Sequence, residues 1–231
     1  MYNGMNESLI TGWNRLINAS SKVAVTLGLQ RRRDPVTTPN ELRRFVEQRA
    51  KYMAQATLYG YLKTRAGTRY TSLFEDEVFV ESINIAKWEI YLACLSDLTV
   101  YAIARIGRLA DVPADELTKL ADHVMTAILN EEEIPDGRQK SFETAHEAFH
   151  IRAGGTKWAD IDDRETAFAR SPRALIEWAP IAPQLKEFDT DIVINSMRFK
   201  WKHVRDELRQ QMKPVELAEA WRTQAAAKDG S

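Results

Sequence analysis

The chain has 231 residues, of which 44% are hydrophobic and 28% charged, and its formal net charge is −1 at pH 7. This length and composition are typical of a folded globular protein and exclude a wholly disordered chain. A nearly neutral chain has no bulk electrostatic attraction to polyanions, so nucleic acid is not an expected partner.

Residues 1–33 are predicted to form an amphipathic helix followed by a basic linker. Apolar side chains recur at helical spacing, and the segment carries five basic side chains against one acidic one. Such a helix can lie in an anionic membrane surface or dock on a protein partner. An ordinary first helix with a solvated linker is the structural alternative. The docking interpretation rests on Trp13, Leu16, Arg31, Arg32 and Arg33.

Residues 38–213 are predicted to form one helical bundle domain, because apolar residues recur every three or four positions and none alternate with period two for long. The sequence from Thr38 to Glu41 is a capping box with proline at the first helical position, which marks a helix start. The segment 76–109 is apolar around much of its circumference, as expected of a central buried helix. The predicted helices span 39–66, 76–109, 113–131, 139–153, two short pieces flanking Pro172, and 190–213.

The single cysteine, Cys94, lies in the apolar run 90–95 of this central helix, so it is expected to be a buried, unreactive thiol. One cysteine excludes an intramolecular disulfide framework and favours a reducing compartment. The first residues lack the compact apolar core of a secretory signal, and charged residues interrupt the apolar stretch 78–109, so no membrane-spanning helix is expected. We therefore expect a cytoplasmic protein, either free or peripheral at the inner face of the membrane.

The helix 190–213 carries an apolar seam with spacings of three and four, formed by Ile194, Met197, Trp201, Val204 and Leu208. Such a seam packs either within the bundle or against a second copy, so a homo-oligomer is one of two alternatives. Basic residues beside the seam, with Phe199 between them, are interpreted as a solvated face rather than a nucleic-acid surface. Residues 214–231 are predicted to form a short carboxy-terminal helix and a tail. The expected fold is thus all-α, a single bundle of about seven helices.

Three segments, 59–65, 80–87 and 195–201, resemble a family of uncharacterised bacterial helical proteins. The resemblance covers most of the chain and implies an all-helical fold. Members are sometimes labelled esterases automatically, and the resemblance brings no catalytic residues with it. A serine esterase of the α/β type needs a serine on a tight strand-to-helix turn, usually within Gly-x-Ser-x-Gly. No serine of this chain has that setting, so serine-esterase chemistry is not expected.

One motif in the predicted helix 139–153 is compatible with metal chemistry. Residues 146–150 match the pattern His-Glu-x-x-His. Residues four apart on a helix lie on one face, so His146 and His150 could bind one zinc ion while Glu147 acts as general base toward its water. In the structural alternative, the two histidines are hydrogen-bonded residues at the edge of the core.

A catalytic zinc also needs a third protein ligand, for which Glu165 is the main candidate. The further candidates are Asp162, Asp163, His123 and His203. A di-iron site is not favoured, because both Glu-x-x-His pairs, at 143–146 and 147–150, lie on one helix. The charged residues of the central helix, among them Asp97, are expected to form structural pairs with arginine across the bundle.

These observations lead to two hypotheses of different classes. The leading one is a non-enzymatic interaction or accessory protein without a cofactor, which docks on a protein partner and whose amino-terminal helix contacts either that partner or a membrane surface. It follows from the absence of an established catalytic set and from the amphipathic segment 1–33. The alternative is a zinc-dependent hydrolase that uses His146, Glu147 and His150.

Overall fold

The computed structural model describes residues 34–162 and 166–229. Within these ranges the backbone forms eight α-helices and no strand, apart from one parallel bridge between Val36 and Met212. The helices are α1 (Pro39–Ala66), α2 (Glu77–Ala110), α3 (Ala114–Glu131), α4 (Gln139–Gly155), α5 (Arg170–Trp178), α6 (Pro183–Lys186), α7 (Thr190–Gln211) and α8 (Pro214–Asp229). The expected all-α fold with a long central helix is confirmed.

Helix α1 begins where the capping box predicts. The Thr38 hydroxyl accepts a hydrogen bond from the Glu41 backbone N–H at 3.2 Å, and the Glu41 carboxylate accepts one from the Thr38 N–H at 3.0 Å. These two bonds satisfy backbone donors that the first helical turn leaves unpaired. At the other end, Gly67 adopts a φ of 55°, a left-handed conformation that favours glycine.

Helix α2 is the centre of the fold and packs against α1, α3, α4, α5 and α8. By length and composition it is the one helix of the described residues that could cross a membrane, and 83% of its most apolar window is buried inside the fold. The apolar surface of α2 is therefore covered by its neighbouring helices. Cys94 is fully buried on this helix, as expected, and burial raises the pKa of its thiol.

Helix α5 differs from the two short pieces expected around Pro172. It runs without a break from Arg170 to Trp178, with Pro172 in its first turn. Proline is tolerated there because the backbone N–H groups of a first helical turn have no partner within the helix. Pro172, which we expected to interrupt a helix, thus lies at the start of one.

Helix α8 belongs to the same compact unit as the rest of the described chain, which extends from Pro35. Leu217, Ala218 and Trp221 are buried, and the helix packs against α2 and α1. The expected boundary at residue 213 therefore marks only the turn between α7 and α8, because the apolar side chains of α8 complete the core. The helix continues to Asp229, where a tail was expected from residue 228.

Candidate functional site

The His-Glu-x-x-His motif lies on α4, where both imidazoles contact α3. The Nε2 atom of His146 lies 2.9 Å from the Thr126 hydroxyl, and the Nδ1 atom of His150 lies 3.0 Å from a carboxylate oxygen of Asp122. Glu147 is exposed, and His150 keeps 74% of its side chain accessible. Each histidine thus makes its own contact with α3.

The third ligand of a zinc site is not found among residues 34–162 and 166–229. No group of three or more His, Cys, Asp or Glu side chains there could hold a metal ion. His123 stacks on Trp221 at 5.1 Å between ring centroids, and His203 packs edge-on against Phe199 at 5.1 Å. Glu165 and Asp163 lie outside the described residues, so the zinc site remains a prediction.

The residues proposed for membrane or partner docking in the amino-terminal segment, Trp13, Leu16, Arg31, Arg32 and Arg33, also lie outside the described residues.

The seam of α7 is used inside the chain. Met197, Trp201, Val204 and Leu208 are buried and Ile194 is half-buried. Trp201 donates from its indole nitrogen to the Ser171 hydroxyl at 3.1 Å. Because four of the five seam residues already pack in this core, they are not available to a second copy of the folded chain.

The opposite side of α7, together with the turn before it, exposes large apolar side chains. Leu185, Phe188, Ile192 and Phe199 are 62%, 83%, 65% and 65% exposed. Ile192 and Phe199 are seven residues apart, so they lie on one face of α7, two turns from each other. We call these four residues the α6–α7 apolar face. The exposed basic side chain of Lys202 follows Phe199 on the same helix.

Only part of this face was predictable from the sequence. Phe199 was expected on a solvated face among basic residues, and Leu185, Phe188 and Ile192 were not singled out. A period of three to four identifies an apolar stripe without showing what covers it. A usable signal was that α7 carries apolar residues on two sides, the seam and the pair Ile192 and Phe199.

A buried polar network joins four helices beside the core. Asp97 of α2 is fully buried, and one of its oxygens accepts from Nη1 of Arg152 on α4 at 2.9 Å. Its other oxygen accepts from the backbone N–H groups of Arg170 and Ser171 at 3.1 and 2.8 Å, so it caps α5. Ser171 in turn accepts from Trp201 of α7. This is the structural carboxylate–arginine pair expected from the sequence.

The electrostatics of this network are those of a structural pair. Burial raises the pKa of Asp97, while the Arg152 guanidinium and the hydrogen bonds from Ser171 act in the opposite direction. Arg152 also donates to the Ala167 carbonyl oxygen at 2.8 Å. With these bonds made, the buried carboxylate has a partner on three sides.

Comparison with known proteins finds no family model that matches the chain, no similar curated protein and no similar solved structure.

Proposed function

We propose that this chain is a non-enzymatic interaction protein that docks on a protein partner through the α6–α7 apolar face. The observation that carries the proposal is the exposure of Leu185, Phe188, Ile192 and Phe199, when the other side of α7 is packed in the core. The four side chains lie within 15 residues of chain, and two of them share one helical face.

Energetics favour an occupant for this face. Covering a large apolar side chain contributes about 1.5–3 kcal/mol relative to leaving it in water. Exposed apolar groups that occur together mark interaction sites more often than isolated ones do. Helix-in-groove recognition uses apolar anchors at this spacing, with Ile192 and Phe199 in the places of residues i and i+7. A protein partner with an apolar groove fits this chemistry.

The amino-terminal segment supports a location at an anionic membrane surface. Residues 1–33 contain Trp13 and five basic side chains against one acidic one. Stable binding of peripheral proteins to membranes usually combines apolar insertion with basic attraction, and this segment offers both. Partner docking and membrane contact would then use different parts of the chain.

Site-specific photocrosslinking tests the docking surface. Phe199 is replaced by p-benzoylphenylalanine, and the full chain is irradiated in cells that naturally contain it. We expect a discrete adduct of higher mass, whose composition mass spectrometry then identifies. Tyr52 of α1 is the matched control, because it is also aromatic and 56% exposed.

Adducts of the same pattern from positions 199 and 52, or none from position 199, would contradict docking through this face. An adduct of twice the chain mass would mean that the occupant is a second copy. The triple variant Phe188→Ser, Ile192→Ser, Phe199→Asn should bind the identified partner at least about tenfold more weakly while keeping its unfolding midpoint, since it removes only exposed apolar groups.

Co-sedimentation with vesicles tests the membrane contact separately. The full chain should pellet with vesicles containing phosphatidylserine, and the chain without residues 1–33 should stay in the supernatant at physiological salt. Vesicles of phosphatidylcholine alone are the control for charge. Equal sedimentation of both chains would remove the segment from this role.

A further inference from the structure

A cleft of about 720 Å³ opens between α2, α4 and α5 on the surface of the fold. Each helix contributes one face to it, since the lining residues of a given helix are three or four positions apart. Its volume lies within the range of about 300–1,000 Å³ that is usual for sites of small organic ligands. We call this feature the α4–α5 cleft.

The floor of the cleft is apolar and made largely of small side chains. Leu92 and Ala93 come from α2, Ala145 and Ala148 from α4, and Ala174 from α5. Because alanine fills little volume, the three helices pack on each other and still leave open space above these residues. The indole ring of Trp178 lies at the α5 side of the cleft and is 37% exposed.

The rim of the cleft is mainly basic. Arg170, Arg173 and Lys140 line it together with Arg138, against the two acids Glu89 and Glu177. Glu89 is already engaged, since it accepts from the Ser141 hydroxyl at 2.5 Å and lies 3.8 Å from the Arg138 guanidinium. The cleft therefore retains a surplus of positive charge next to an apolar floor.

Two guanidinium groups of this rim lie on one side of α5. Arg170 and Arg173 are three residues apart, which makes their side chains neighbours. Within the part of the chain that the structure describes, no carboxylate lies within ion-pair distance of either group. Asp97, which contacts the start of α5, is bound by Arg152 and by backbone N–H groups.

The surroundings of Arg170 also favour an anion in the cleft. Its backbone N–H bonds Asp97, which fixes the first turn of α5 and leaves the side chain at the cleft. Partial burial and the nearby Arg152 charge lower the pKa of its guanidinium, and the opposing effect of Asp97 does not outweigh them. An anion in the cleft would compensate the positive charge that these groups place there.

We propose that the α4–α5 cleft binds an amphipathic organic anion, whose carboxylate or phosphate group pairs with Arg170 and Arg173 and whose apolar body lies on the alanine floor. Guanidinium groups bind both kinds of anion through paired hydrogen bonds. Trp178 supplies a flat apolar surface at the side of the bound molecule. None of the residues that line this cleft belongs to the α6–α7 apolar face.

Calorimetric titration with four probes tests the chemistry of the ligand. Decanoate and decyl phosphate carry both the charge and the apolar chain, decanol carries only the chain, and inorganic phosphate carries only the charge. We expect at least one of the two amphipathic anions to bind at one site per chain. Decanol should bind at least about tenfold more weakly, because it cannot form charge-assisted hydrogen bonds with the two guanidinium groups. Inorganic phosphate should also bind at least about tenfold more weakly, because it has no apolar chain to cover the alanine floor. The ratio of the two anions distinguishes a carboxylate from a phosphate site.

Two variants and one control then test whether the anion binds in the cleft. Arg170→Gln with Arg173→Gln should weaken the bound anion at least about tenfold, and it leaves the backbone bond from residue 170 to Asp97 intact. Ala148→Phe should weaken it similarly by filling the cleft while keeping every charge. Lys63→Gln with Arg69→Gln is the control, since it also removes two exposed charges but lies outside the cleft.

Unchanged affinity in the double arginine variant would overturn the proposal, as would decanol that binds as tightly as the anions or the absence of binding by both. An equal loss in the control variant would also overturn it, since that would indicate an effect of net charge alone. The double arginine variant decides the question even if Ala148→Phe does not fold.

Discussion

Asp97 is the residue on which the contacts between α2, α4 and α5 depend most directly. Its carboxylate joins the Arg152 side chain to the start of α5, and the residue is fully buried. Removing one partner of a buried ion pair lowers the free energy of unfolding more than removing both partners does. The remaining charge is still buried, and nothing then offsets its desolvation penalty. When one partner of a surface ion pair is removed, water solvates the remaining charge and little stability is lost.

We expect Asp97→Ala to lower the free energy of unfolding by about 3–5 kcal/mol, because it leaves the Arg152 charge buried and α5 without its cap. Urea denaturation measures the change. Asp122→Ala is the control, since its partner His150 is 74% exposed, and such pairs contribute at most about 1 kcal/mol. Equal losses in the two variants would show that the Asp97 network does not stabilise the fold in this way.

The capping box of α1 should make stability depend on pH. Burial acts to raise the pKa of Glu41, but hydrogen bonds from Thr37 and Thr38 outweigh it, so the pKa lies below its usual value of 4.5. The ionised carboxylate therefore stabilises the fold above that value, and the contribution is lost as pH falls through the lower, folded pKa.

In Glu41→Gln, the stability lost between pH 7 and pH 3 should thus be smaller than in the native chain. Glutamine still serves in a capping box, so the helix start is kept. Chemical denaturation at both pH values gives the comparison, and the exposed Glu75→Gln is the control for removing a carboxylate. An unchanged acid-induced loss in Glu41→Gln would contradict this role.

At the scale of single helices, the sequence predicted most of what the structure contains. The capping box at Thr38, the glycine at position 67 and the prolines between segments are local signals, and helix ends are set by local bonds. The prediction of a helix break at Pro172 was wrong, because proline in an apolar pattern is compatible both with a break in a helix and with the first turn of one. The partner of Asp97 could be expected in kind, as an arginine, but 55 residues separate it from Arg152, and such pairings depend on tertiary packing.

The candidate sites were less predictable for the same reason. The motif around His146 was visible, yet its contacts with α3 depend on how two helices cross. The α6–α7 apolar face and the α4–α5 cleft exist because other helices leave these side chains uncovered. Which side chains stay uncovered depends on tertiary packing and not on local sequence. A single sequence shows which residues are apolar and does not show which of them the fold encloses.

Gly60 within α1 and Gly67 directly after it offer opposite expectations for the same substitution. Gly60 lies in the exposed helix interior, and an added Cβ would meet nothing within 4 Å. Gly60→Ala should therefore raise the free energy of unfolding by about 0.5–1 kcal/mol. Gly67→Ala should lower it by about 1 kcal/mol or more, because φ there is 55° and a Cβ is strained in that region. Thermal unfolding separates the two, and a gain in both would refute the conformational argument.

On the scale of the whole molecule, the core is shared by helices from both ends of the described chain. The bridge between Val36 and Met212 joins the entry to α1 to the end of α7, and α8 then packs on α2. Helices distant in sequence thus cover one central helix. Loss of any covering helix would expose apolar side chains of α2 to water.

Substitutions in α8 test its part in that core. Leu217→Ala should cost about 2–5 kcal/mol, because Leu217 is fully buried and its removal leaves a cavity. Val215→Ala should change stability by no more than about 0.5 kcal/mol, because Val215 is 54% exposed. Urea unfolding followed by circular dichroism measures both. Similar small effects in the two variants would mean that α8 folds on its own, outside the core.

The position of Cys94 has a practical consequence. It is the chain's one cysteine, and it sits at the middle of the enclosed helix. An alkylating reagent can reach that sulfur only while the surrounding helices have parted, so its rate of modification measures how often they do so under native conditions. The alkylation rate of Cys94 in the native chain therefore reports local opening without any added label. The rates with and without lipid, a partner or a small anion can be compared directly.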